Sequence, residues 1–138
     1  MLAARRLTER QLRERLAKRE FAPDEIERTV DACRRGGFVD DLLYARLYVE
    51  TKRKAVGDRR LLAELVQRGV DRELAASCVA SAEASEGERL GAAIERVFRS
   101  RPGIAYPSAA RSLERLGFPA ASIYRALRER SILQMNDG

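Results

Sequence analysis

The chain has 138 residues, 45% hydrophobic and 35% charged, enough for one domain or a few small repeats and apolar enough to bury a core. With no histidine and only two cysteines, it cannot build a Ser-His-Asp triad, a His-ligated metal centre or a four-cysteine zinc site. A net charge of +6 from 27 Lys and Arg against 21 Asp and Glu permits an anionic partner without demonstrating one.

In chain order the punctuation is that of helices. A stub at about residues 2–6 precedes Thr8, whose partner Gln11 completes a capping-box pattern. Helices are predicted over 8–19 and 23–35, the second opened by Pro23, which lacks only a donor that a first turn cannot use. Asp40, Asp58 and Asp71 are candidate N-caps, Pro107 and Pro119 candidate first helical residues, and Gly36, Gly57, Gly69 and Gly117 candidate left-handed stops. Cys33 and Cys78 fall among helical apolar residues and read as reduced, buried thiols. No apolar run approaches the roughly 20 residues needed to span a bilayer, and no signal-peptide pattern opens the chain. A cytoplasmic, non-catalytic protein without cofactor or metal is the expectation.

Three stretches share one spacing. Leu12, Leu16, Phe21, Ile26 and Val30 are separated by 4, 5, 5 and 4 residues, as are Leu61, Leu65, Val70, Ala75 and Val79, and Ala109, Leu113, Phe118, Ile123 and Leu127. A step of four keeps side chains on one helix face, and the steps of five cross a break marked by Glu20, Gly69 and Gly117. Each stretch therefore reads as helix, corner and helix, with Phe21, Val70 and Phe118 plugging the corners. Upstream, Leu42, Ala45 and Val49 match Leu90, Ala93 and Val97, so residues 41–54 and 88–100 are equivalent leading helices. The predicted fold is all-α: an elongated tandem array of three-helix repeats with about eight helices. The repeats span 1–35, 36–84 and 85–132, the first truncated at its start, and 133–138 form a flexible tail. Such arrays present an extended surface to a long partner.

Two basic clusters lie on this frame. The first runs from Arg5 to Arg19 and includes Arg13 and Lys18; the second is Lys52, Arg53, Lys54, Arg59 and Arg60 around Gly57. Only three of the 27 cations are lysine, and guanidinium forks onto carboxylate and phosphate better than ammonium. Each cluster reads either as a solvated charge run or as a contact for a protein partner or phosphate. Asp40 and Asp41 adjoin a helix start and suit capping better than metal or acid–base chemistry. Tyr44 and Tyr48 share a helix face and read as packing or as a partner contact.

The run Gly37-Phe38-Val39-Asp40-Asp41, then Tyr44-Ala45, Val49, Gly57, Glu64-Leu65 and Arg68-Gly69-Val70, resembles the RecX family of recombinase regulators. The likeness is strongest over residues 36–80, extends across nearly the whole chain, and departs from the family in the missing first helix. It implies a non-enzymatic protein of homologous recombination, DNA repair and the SOS response. Such a protein binds the RecA nucleoprotein filament, both protein and single-stranded DNA, and inhibits its recombinase, ATPase and co-protease activities. A monomer with weak, non-specific nucleic-acid binding is expected. The alternative is a helix-turn-helix-like DNA-binding protein, for which the helix at 119–130, with Ser122, Arg125 and Arg128, is the better reader.

Overall fold

The computed structural model describes residues 6–52 and 55–137, apart from the side chains of Lys52 and Asp137. The expected stub and two of the expected contact residues, Arg53 and Lys54, lie largely or wholly outside the described residues. Eight α-helices follow in order: α1 Glu9–Lys18, α2 Pro23–Arg35, α3 Asp41–Leu47, α4 Asp58–Arg68, α5 Arg72–Ala80, α6 Glu86–Ser100, α7 Tyr106–Arg115 and α8 Ala120–Asp137. A π-helical turn, Tyr48–Lys52, continues α3. No strand occurs among the described residues, and none of their helices is long and apolar enough to cross a membrane.

The three corners are the same structure. In each, a backbone N–H five residues on returns to the penultimate turn: Phe21 to Leu16 at 3.3 Å, Val70 to Leu65 at 3.0 Å and Phe118 to Leu113 at 3.4 Å. A second bond runs from Glu20 to Ala17, Gly69 to Val66 and Gly117 to Glu114. This pair of bonds caps the last carbonyls of a helix and requires a left-handed residue between them. Gly69 and Gly117 supply it with φ of 110° and 93°, and Glu20 does so at φ 65° without being glycine.

Burial follows the repeat only from the second copy onward. Leu61, Leu65, Val70, Ala75 and Val79 are buried, as are Ala109, Leu113, Phe118, Ile123 and Leu127. In the first copy only Val30 is buried; Leu12, Leu16 and Ile26 are half-buried. Phe21, expected as a corner plug, is 45% exposed. The third repeat shows what differs: α6 lays Leu90, Ala93 and Ile94 against Ala110, Leu113, Phe118, Ile123 and Leu127. No described helix leads α1, so its apolar positions meet α2 on one side only, and Leu7, Leu12, Cys33 and Phe38 line an open groove of about 420 Å³. Cys33 is accordingly half-buried, whereas Cys78 is buried and its thiol is pushed up by that burial.

Several expected signals shift by a residue. Gly37, not Gly36, takes the left-handed conformation after α2. Pro119 occupies the N-cap of α8, its carbonyl accepting from Ile123 N–H, rather than the first helical position. Gly57 is likewise the N-cap of α4, accepting from Leu61 N–H, and Asp58 stands inside the helix. Thr8 forms the full capping box with Gln11, and Asp40 and Asp71 cap α3 and α5. Helix α8 continues through residues 133–137, the stretch expected as a tail. Leu42 is partly exposed, while its repeat mates Ala45 and Val49 are buried.

The chain divides into two compact units, residues 1–52 with 62–82 and residues 53–61 with 83–138. Each unit contains one joint between successive repeats, and the two joints use the same chemistry. In the first unit the Thr8 hydroxyl donates to the Arg68 carbonyl at 2.6 Å, and Arg10 donates to the carbonyls of Val66 and Gln67. Glu9 N–H donates to the carboxylate of Asp41, the first residue of α3, at 3.0 Å. In the second unit Gly57 N–H donates to the Leu116 carbonyl at 2.8 Å and Arg60 to the Arg115 carbonyl at 2.9 Å. Asp58 N–H donates to the carboxylate of Glu86, the first residue of α6, at 2.7 Å. The start of one repeat's middle helix thus caps the frayed carbonyls of the next repeat's middle helix. Side-chain donors in the first joint, and a backbone and a side-chain donor in the second, satisfy carbonyls that a helix end leaves without an intrahelical partner.

Candidate interaction surface

The π-helical turn carries the chain toward the second basic cluster, and a knot of side chains anchors its start. Tyr44 and Tyr48 stack with ring centroids 6.3 Å apart and planes 12° apart. The Arg68 guanidinium lies 4.8 Å from the Tyr48 ring centroid and donates to the Tyr44 hydroxyl at 3.0 Å. That hydrogen bond holds the Arg68 guanidinium firmly protonated. Tyr48 donates in turn to Glu64 at 2.7 Å. Both rings are buried, so of the two sequence readings the packing one holds.

Past the cluster, a buried arginine fixes the chain. Arg89, 3% exposed, donates to the Val56 carbonyl at 2.5 Å and the Ala84 carbonyl at 3.2 Å, and pairs with the Asp58 carboxylate. Removing one partner of such a network strands the others in a poorly solvated place. Asp58, expected as a cap, is the counter-ion of this clamp. The signal was present in sequence only as an acid and an arginine 31 residues apart, a separation that no local rule reads.

The expected contact residues fall into distinct surroundings. Lys52 ends the π-turn. Arg59 is exposed in the first turn of α4. Arg60, its neighbour, reaches the Arg115 carbonyl and so belongs to a joint. Arg13 forks onto Glu27 at 2.9 and 3.1 Å and lies 3.8 Å from Glu9; the Glu27 hydrogen bond keeps its guanidinium charged. Lys18 is exposed at the end of α1, where a cation complements the helix dipole. Around Arg13 the first repeat is an ionic lattice: Arg34 binds Glu9 at 2.5 and 2.9 Å and Asp31 at 2.9 Å, and Arg10 faces Glu14 at 3.6 Å. Arg10, Arg13 and Arg34 are thus answered by acids of the same repeat.

The third repeat holds a group that cluster counting overlooks. Arg101 and Arg115 both donate to the Ser112 hydroxyl, at 2.9 and 3.3 Å, and Arg111 donates to the Ser108 hydroxyl at 3.1 Å. All three arginines are exposed, and among the described residues none pairs with a carboxylate. No set of three or more acidic or thiol side chains among the described residues could hold a metal ion.

Together the corners and joints define a class, a tandem array of three-helix domains. Two family profiles match it: the first three-helix domain of RecX over residues 1–33 and the second over residues 40–78. Regulatory protein RecX of a Thermus thermophilus strain is 34% identical over 128 residues, covering 93% of this chain and 85% of that protein. Regulatory protein RecX of Amycolatopsis mediterranei is 29% identical over 136 residues, covering 94% and 78%. The crystal structure of RecX from Lactobacillus salivarius superposes with a TM-score of 0.70 at 16% identity, over 91% of this chain and 86% of that one. The chain belongs to the RecX family of regulatory proteins.

Proposed function

We propose that this chain binds the RecA nucleoprotein filament and inhibits its recombinase, ATPase and co-protease activities, acting as a cytoplasmic monomer without chemistry of its own. Membership of the RecX family, with the regulatory role in its relatives' names, is the observation that carries this reading. The repeated joint supports it physically, since the same docking of one middle helix on the next recurs within each unit. A protein touching several filament protomers at once gains effective concentration and acts below equimolar ratio.

Arg59, Lys18 and the Lys52-Arg53-Lys54 run are the cations proposed to meet the filament. Arg13 and Arg60 contribute less, since their guanidiniums already serve Glu27 and the Arg115 carbonyl. Co-sedimentation with RecA assembled on single-stranded DNA tests the reading: the chain should pellet with filaments and stay in solution with unassembled RecA. Equal recovery with and without filament would count against it.

The second reading is a helix-turn-helix DNA-binding protein. In its favour, Arg125 and Arg128 are both exposed on α8. Tight, sequence-selective binding to a duplex in the absence of recombinase would select it.

A further inference from the structure

Three arginines of the third repeat are held by hydroxyls rather than by carboxylates. Around α1 and α2, Arg10, Arg13 and Arg34 each face a carboxylate. On α7 the residues Ser108, Arg111, Ser112 and Arg115 recur at i, i+3, i+4 and i+7, a single stripe along about 10 Å of helix. It lies opposite the face that buries Ala109, Ala110 and Leu113. The preceding loop brings Arg101 onto the same stripe through Ser112. Ser112 thus brings the Arg101 and Arg115 guanidiniums to one hydroxyl, and Ser108 tethers Arg111 on the same helix face, each arginine keeping N–H groups to spare after its serine bond. Glu114, the acid of this helix, projects from the flank of the stripe and pairs with none of them.

We infer that the stripe of Arg101, Arg111 and Arg115, set by Ser108 and Ser112, is a binding site for the phosphate backbone of a nucleic acid. Three like charges held together without counter-ions are costly unless an anion joins them, and guanidinium forks match phosphate oxygens two at a time. The stripe consists of serine and arginine alone. It offers no aromatic or aliphatic anchor of the kind that carries the energy of protein–protein contacts, so an acidic protein surface is the weaker fit. It also offers no amide side chain to read base edges, so recognition is indifferent to sequence. This site uses none of the cations proposed to meet the filament and stands whether or not that reading does.

The test uses the full chain without recombinase and a fluorescein-labelled oligonucleotide of about 20 thymidines, single-stranded or as its duplex, titrated by anisotropy at several salt concentrations. Wild type should bind with a steep salt dependence. The triple variant Arg101→Ala, Arg111→Ala, Arg115→Ala should bind about tenfold or more weakly at low salt, with a slope shallower by about 2 for a single strand, at roughly 0.7 for each phosphate no longer neutralised. Replacing the same three by lysine should restore most of the slope. Arg125→Ala with Arg128→Ala should change little. Far-ultraviolet circular dichroism and thermal unfolding confirm that each variant folds. A folded triple-alanine variant with wild-type affinity and slope would overturn the assignment, as would loss of binding in the Arg125/Arg128 variant alone or polyglutamate binding as tightly as the oligonucleotide. Preference between the two oligonucleotide arms identifies the strand form the site takes.

Discussion

The Gly57 amide donates to the Leu116 carbonyl at 2.8 Å, 59 positions along the chain, and this close approach leaves no room for a side chain. A Cβ on Gly57 would overlap the carbonyl of Gly117, and one on Gly117 would overlap Arg60 while forcing a non-glycine residue to φ 93°. The Gly57→Ala and Gly117→Ala variants should each lose about 2 kcal/mol or more of stability, the range of overpacking and left-handed strain. Urea denaturation reads this directly. Gly91→Ala, where nothing lies within 4 Å, should instead be neutral or mildly stabilising as a helix-interior replacement.

Thr8 performs two tasks in the matching joint, accepting from Gln11 N–H and donating to the Arg68 carbonyl. Thr8→Ala should cost about 1–2 kcal/mol through removal of the cap and the stranded carbonyl. Thr8→Ser keeps both bonds and should recover most of that. Equal stability of the alanine and serine variants would remove the hydroxyl from the joint.

Equivalent leucines should not be equivalent in energy. Leu65 and Leu113 are fully buried, whereas Leu16, at the same corner position, is half-buried. Leu65→Ala and Leu113→Ala should each cost about 2–5 kcal/mol, and Leu16→Ala distinctly less. A comparable loss at all three would mean the first repeat is as well covered as the others.

This asymmetry marks the boundary of what the sequence discloses. The corner was legible because it is local: a five-residue step over Glu20, Gly69 or Gly117 sets the bonds from Phe21, Val70 and Phe118. The plugging of the corner by Phe21 was not legible, because its burial depends on a leading helix that the pattern places only in the second and third repeats. The joints were equally hidden, since Arg10 and Gln67, or Arg60 and Arg115, meet only through tertiary structure. Density of charge drew attention to Arg13, whose charge Glu27 answers. Arg111 and Arg115 stood in a sparser stretch, and what distinguishes them is their bonds to the Ser108 and Ser112 hydroxyls in place of the neighbouring Glu114, visible only once side chains are placed.

Acid should separate two carboxylates of the first joint. The Arg34 hydrogen bond holds the Glu9 carboxyl below its ordinary 4.5. Its contribution to stability is therefore present above about pH 4.5 and lost as pH falls through the lower folded value. Burial raises the Asp41 carboxyl above its ordinary 3.8, so its contribution is present below that value and lost as pH rises through the folded one. Denaturation of Glu9→Gln should show a deficit against wild type that shrinks below about pH 4. Asp41→Asn, whose side-chain oxygen still accepts from Glu9 N–H, should gain on wild type as pH rises. A pH-independent difference in both variants would contradict these assignments.

The most direct measurement is the DNA-dependent ATPase of the cognate RecA on single-stranded DNA, titrated with this chain from far below equimolar. Turnover should fall when the chain is still much scarcer than RecA, and Arg59→Glu, which leaves the hydrogen bonds of the joint in place, should shift the curve to higher concentration. Undiminished hydrolysis with the chain in excess over RecA would contradict the account.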